Sequence, residues 1–313
     1  MRPLAWTAVP VALRLGAVVA ASLLVVDPAP AQNRGVYPLG MSALSSGSLA
    51  DSGVSYANQF LMYSRDRAKD NDGHTEPVTG THSVAMDMNT FTWVSRTSFK
   101  AVRYAASATL PFAWNSLTSD VKGPITTGSG FADSYYLPLI VGRNGRRVDV
   151  RAQYGFLAPT GKFTAGANDN VGSGYWTQTL SFGQTARMAR DQRLTVSTFE
   201  MYEVHTRQRG GDVRPGDTFD LDASILANVR SGGTARLEIG IVGYAQRQTT
   251  ARTGSGVPAE SSADRYAVNA LGVALRLTFP KRRANVAFKY FAERANRSTF
   301  EGSSVQVVGA IAL

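Results

Sequence analysis

The feature that most constrains this chain is strict alternation of apolar and polar residues, repeated in long runs at near-regular spacing. Between Tyr104 and Trp114 every second residue is apolar, while Ala105, Ser107 and Thr109 between them are small or polar. Period two is the signature of a β-strand with unlike faces. The same pattern runs through Val148 to Phe156 against Asp149, Arg151 and Gln153, and through Phe219 to Val229 against Asp220, Asp222, Ser224 and Asn228. It recurs at Leu237 to Ile241 against Arg236 and Glu238, at Leu271 to Phe279 against Arg276, and at Val286 to Tyr290 against Lys289. Several runs are about twice as long as the ~5 to 6 residues of strands in soluble sheets. From Tyr104 to Trp114 a strand rises about 33 Å, which a tilt of ~40° projects to about 25 Å, the height of the lipid-facing band of a membrane barrel.

Strands are expected near 54–64, 83–94, 103–114, 134–141, 147–157, 173–186, 193–205, 217–229, 234–247, 265–279, 284–295 and 303–313. The first, fourth, sixth and seventh do not settle which face is which. Odd connections (65–82, 115–133, 158–172, 206–216 and 248–264) are long and rich in Gly, Asp, Asn and Thr, whereas even ones such as Arg230-Ser-Gly-Gly and Pro280-Lys-Arg-Arg are short. Long outer loops alternating with short periplasmic turns are the mark of an outer-membrane barrel with both termini inside. The expected fold is therefore all-β, a transmembrane antiparallel barrel of about 12 strands, with Tyr104, Trp114, Tyr154, Phe279 and Tyr290 as its membrane-interface aromatics.

Residues 1–31 read as a secretory signal peptide: Arg2 and Arg14 precede the apolar run Leu15 to Val26, and Ala29-Pro30-Ala31 offers a cleavage site. The mature chain is then expected to begin near Gln32, after Ala31, and to be delivered to the outer membrane of a Gram-negative bacterium. The barrel takes 54–313. The segment 32–53 has no alternation and is either a lumen plug or a disordered tether. The chain has no cysteine, so thiol chemistry and cysteine metal sites are excluded.

Loss of Arg2, Arg14 and Asp27 takes 33 basic and 23 acidic residues to 31 and 22, and the net charge from +10 to +9. Twelve basic residues from Arg96 to Arg283, Arg187 among them, fall in the short turns beside one acid, Asp191. That placement accounts for the whole surplus, so basicity is no sign of a nucleic-acid partner. It suits either attraction to anionic headgroups or simply solvated turns. The lumen-lining candidates Asp149, Arg151, Gln153, Asp220, Asp222, Arg236, Glu238, Arg276 and Lys289 are nearly balanced. Arg151 is expected to find Asp149, and Arg236 to find Glu238, two residues away on its own strand.

No catalytic constellation is legible. His74, His82 and His205 lack metal-ligand spacing, and adjacent His82 and Ser83 point to opposite faces of a strand. No Gly-x-Ser-x-Gly elbow is present. The chain is expected to be neither an enzyme nor a cofactor carrier.

Several segments together resemble the bacterial family named for the MetA pathway of phenol degradation. They are Asn170-Val-Gly-Ser-Gly-Tyr-Trp-Thr177 after Tyr154-Gly-Phe-Leu-Ala-Pro-Thr-Gly161, then Phe131-Ala-Asp-Ser-Tyr-Tyr-Leu-Pro-Leu139, Pro215-Gly-Asp-Thr-Phe219 and Gly240-Ile-Val-Gly-Tyr-Ala-Gln246. Tyr37-Pro-Leu-Gly-Met and Asp70-Asn-Asp-Gly73 fit as well, though Leu313 stands where such barrels commonly end on an aromatic. The resemblance implies an outer-membrane transporter passing small hydrophobic or aromatic compounds. Its expected partners are outer-membrane lipids, the barrel-assembly machinery and that solute. The alternatives are a non-conducting structural or adhesive barrel and a barrel lipid hydrolase.

Overall fold

A computed structural model describes residues 34–77, 80–121, 123–189, 193–232, 234–257 and 264–313. The segment expected to be a signal peptide, its expected cleavage site, Arg190 and Asp191 lie outside the described residues. Among the described residues thirteen strands follow one another: β1 Gly53–Ala68, β2 His82–Phe99, β3 Val102–Ser119, β4 Gly123–Phe131, β5 Ser134–Asn144, β6 Val148–Ala158, β7 Thr177–Met188, β8 Leu194–His205, β9 Thr218–Gly232, β10 Ala235–Gln248, β11 Ala267–Phe279, β12 Ala284–Glu293 and β13 Phe300–Ala312. Consecutive strands pair antiparallel except β4 and β5, which both pair with β3, and β1 closes on β13 with Tyr56 opposite Ile311.

The wall nonetheless has twelve staves. β4 and β5 are two lengths of one stave, since Phe112 faces Phe131 on β4 and Thr109 faces Tyr135 on β5. Between them Asp133 leaves the ladder, and its carboxylate accepts from the Gly161 amide at 2.9 Å and from the Ser173 amide at 2.6 Å. This corrects the reading of 115–133 as a loop. The stretch Gly123-Pro-Ile-Thr-Thr-Gly-Ser-Gly-Phe131 carries no alternation to mark it, because three glycines and a proline are poor strand formers. It is held by backbone pairing to an extended β3. β1 and β2 also run about four residues beyond their expected ends, to Ala68 and Phe99.

The wall is inverted relative to a soluble sheet. Ile241 and Leu271 are 61% and 72% exposed on the outside, while Asp149, Asp220, Asp222 and Gln246 are fully buried within. An apolar belt of that extent is covered by lipid, not water. Tyr104, Trp114, Tyr154 and Tyr290 all lie exposed on this outer surface, with Phe279 half-buried. The outer loops are themselves ordered by polar contacts: Arg214 and Thr253 exchange backbone bonds of 2.8 and 3.1 Å. Hydrogen bonds from the Ser255 hydroxyl and amide hold the Asp212 carboxyl below the usual carboxylate range.

The strand order places both 69–81 and 159–176 at one rim and the 145–147 and 280–283 turns at the other. In this Cys-free chain, single cysteines at Asp72 or Asn168 should react with an impermeant thiol reagent on intact cells, and cysteines at Arg146 or Lys281 only after the outer membrane is opened. Labelling with the rims exchanged would overturn the orientation.

Candidate functional site

A barrel of twelve strands is wider than the eight-stranded kind whose own side chains fill it. Here the space is taken by residues 34–51, which enter near the outer rim and descend to the inner one. Arg34 donates to both oxygens of Glu293, at 2.6 and 3.0 Å, near the top of β12. The Val36 and Tyr37 amides donate to Glu203 at 3.1 and 2.8 Å. Asp222 is the next hold: it accepts from the Tyr37 hydroxyl at 2.6 Å, the Gly40 amide at 2.9 Å and the Ser42 amide at 3.0 Å. From the facing wall Lys289 donates to the Gly40 and Met41 carbonyls at 2.6 and 3.1 Å. Lower down, Ser48 donates to Asp149 at 2.5 Å, and Leu49 exchanges two bonds with the Asn144 amide.

Backbone amides of a segment without secondary structure must find partners, and buried inward carboxylates must find donors. Each satisfies the other. Apolar contacts add to the grip: Leu39 and Leu44 pack against Ala43, Leu226, Val242 and Phe291, and Tyr37 stacks at 5.5 Å on Phe199. The segment also needs its glycines. Gly40 adopts φ +81°, and at Gly47 an added Cβ would fall within 3 Å of the backbone of Asp149, Gln184 and Thr185.

The nine lumen candidates divide accordingly. Asp149, Asp222, Arg276 and Lys289 touch the segment, Arg276 through the Ser45 hydroxyl. Arg236 and Arg276 both pair with Glu238, at 3.1 and 2.7 Å. Asp220 accepts from Gln246 at 2.6 Å. Asp149 does not pair with Arg151, contrary to expectation; Arg187, read as a turn residue, lies in β7 and donates to both its oxygens. Arg151 Nε and Gln153 Oε1 are buried with no hydrogen-bond partner among the described residues. Glu203 and Glu293, the two upper anchors, were not among the candidates. Glu203 alternates inward with Met201 and Phe199, but the apolar residues on both faces of β8 hide the period. His205 is buried and bonded to the Thr177 hydroxyl at 2.8 Å, whereas His74 is exposed beside Asp70.

Beneath the segment a cavity of about 430 Å³ opens toward the inner rim, lined by Met41, Leu44, Arg236, Glu238, Arg276 and Lys289 among others. It joins apolar methionine and leucine surface to paired charges. Among the described residues no group of three or more His, Cys, Asp or Glu could hold a metal ion.

The sequence profile of the family described as MetA-pathway of phenol degradation matches residues 65–308. The chain belongs to that family. No curated protein matches it. Among solved structures, the COG4313 outer membrane channel from Pseudomonas putida F1 superposes with a TM-score of 0.73 at 12% identity, covering 86% of this chain and 98% of that one. The β domain of the Bordetella autotransporter BrkA superposes with a TM-score of 0.50 at 13% identity, over 84% of this chain and 100% of that one. At such identities the likeness establishes the closed outer-membrane barrel fold.

Proposed function

We propose that this member of the phenol-degradation family is a narrow outer-membrane channel for passive movement of small hydrophobic or aromatic compounds, with residues 34–51 as its constriction. The observation that carries the reading is what fills the lumen. The obstruction is not the wall's own side chains but a separate segment held by reversible polar contacts to Glu293, Glu203, Asp222 and Asp149. A wall built to be solid would need no such insert. The mixed lining of the 430 Å³ cavity suits a solute with an apolar body and at most one polar group. The exposed aromatics Tyr104, Trp114, Tyr154 and Tyr290 serve as the interface girdles against outer-membrane lipid, and the exposed basic turn residues Arg146, Lys281 and Arg282 as contacts to its headgroups.

The same filled lumen favours a second reading, a non-conducting structural barrel. The two separate in liposomes: the channel accelerates equilibration of phenol or toluene relative to protein-free vesicles while leaving sugars excluded. Equal rates with and without protein would leave the structural reading.

A further inference from the structure

Four polar side chains stand on the outside of the barrel, within its apolar belt. On β1 the outward residues run Val54, Tyr56, Asn58, Phe60 and Met62, and on β2 the residues opposite them are Trp93, Phe91, Asn89, Asp87 and Ala85. On β3 the residues facing those of β2 are Ala106, Ala108, Leu110, Phe112 and Trp114. Ring pairs mark the two edges of this face: Trp93 with Tyr104 at 5.7 Å below, and Phe112 with Trp114 at 4.9 Å above. Asn58 and Asn89 lie midway between them and Asp87 lies level with Phe112 at the upper edge, on a lipid-facing surface where an acid or amide is costly and marks a functional site.

The four are tied together. Tyr56 donates its hydroxyl to Asn89 Oδ1 at 2.6 Å, and Asn58 donates to Asp87 Oδ1 at 2.5 Å. The cluster borders a crevice in the outer wall lined by Tyr56, Asn89, Phe91, Leu110, Phe112 and Phe131. Beside Asn58 the residue on β13 is Gly309, at which an added Cβ would meet nothing within 4 Å, so the surface is indented there too. Among the described residues the Asp87 carboxylate has only amide donors, Asn58 and, at 3.4 Å, Asn89, and retains acceptor capacity.

A concave surface with aromatic walls and a hydrogen-bonding end, opening into lipid, suits an aromatic ring carrying one hydroxyl. We propose that the β1–β3 outer wall is a binding site for phenolic solutes, the hydroxyl bonding to the Asp87–Asn89 cluster and the ring lying among Phe91, Leu110 and Phe112. The proposal rests on the reading that the protein handles aromatic compounds, and assigns it a site outside the lumen. A lipid acyl chain would match the walls but leave the polar end unsatisfied; a hydroxyl satisfies it.

The test uses mature protein in lipid nanodiscs, with 4-fluorophenol as probe and fluorine NMR line broadening as readout, against empty nanodiscs that report partition alone. Wild type should show saturable broadening beyond partition, reversed by p-cresol and not by toluene. The double variant D87L/N89L should weaken binding about tenfold or more, the effect of losing a hydrogen bond to a charged group. Heat-modifiable gel mobility establishes that the variant barrel is folded. Unchanged binding in the folded variant, or equal competition by toluene, overturns the site. A wild-type dimer that D87L/N89L dissociates would also overturn it, by showing that a second copy covers the cluster. Phenol uptake by liposomes is read separately: uptake without binding removes this site alone, and binding without uptake removes the channel alone.

Discussion

Deleting residues 34–52 should raise single-channel conductance in planar bilayers from a nearly closed level to a sustained open one. The barrel does not depend on the segment for closure, because wall pairing begins at Gly53 opposite Val94 and is completed by Ser55 opposite Ala312. What the segment supplies is occupancy. It meets Glu293 at one end of the lumen and Asp149 at the other, and between them it covers the inner surfaces of Leu226, Val242 and Phe291. Removing it strips amide donors from Glu203 and Asp222 and carbonyl acceptors from Lys289. Each group then requires water in their place, since an unsatisfied buried charge costs several kcal/mol. Hydration of the lumen and ion flow therefore arise together. A folded deletion barrel that conducts no better than wild type would refute the segment as the constriction, and the next barrier to test would be the inward rings of Phe199 and Tyr244.

How much of this was legible follows from where the period of two is kept. Along β6, β9, β10 and β12 alternation is clean, and the inward positions of Asp149, Asp222, Glu238 and Lys289 can be read residue by residue. Along β1 it fails for a physical reason: Tyr56 and Asn58 stand among Val54, Phe60 and Met62 on the outer face, so that face is not uniformly apolar. The broken pattern is itself the trace of the outer-wall cluster. The partner of Asp149 could not be read from its own strand, because it comes from the next one: Thr185 stands directly across from Asp149, and Arg187 lies diagonally beyond it with a side chain long enough to reach both carboxylate oxygens. Arg187 comes from β7 and reaches first. The course of residues 34–51 was hidden more deeply. Its partners Glu203, Asp222 and Lys289 are 166, 182 and 249 residues away from the groups they hold, and a Gly- and Ser-rich segment carries no periodicity that names them.

The lower half of the constriction should be released by a single wall substitution, Gly183→Val. Gly183 faces inward from β7, and a Cβ built there falls within 3 Å of the carbonyl carbon of Ser46 and closer still to its oxygen. Those are backbone atoms of the segment, which cannot rotate aside as a side-chain tip would. Valine suits the strand, so the wall accepts it; the strain passes to the segment. Overpacking of this kind costs about 1–3 kcal/mol, and about 2 kcal/mol changes the docked-to-undocked ratio roughly thirtyfold. The bonds from Gly47 to Thr185 at 3.0 Å and from Ser48 to Asp149 at 2.5 Å should break first. Above them Glu203 and Asp222 still hold Val36, Tyr37 and Gly40, so openings should be intermittent and smaller than those of the deletion. Gly309→Ala is the matched control, since its Cβ meets nothing on the outer wall and should leave conductance unchanged. If Gly183→Val barrels were folded and as quiet as wild type, the contact between β7 and Ser46–Gly47 would not belong to the barrier, and closure would have to be assigned to the carboxylate-held upper half alone.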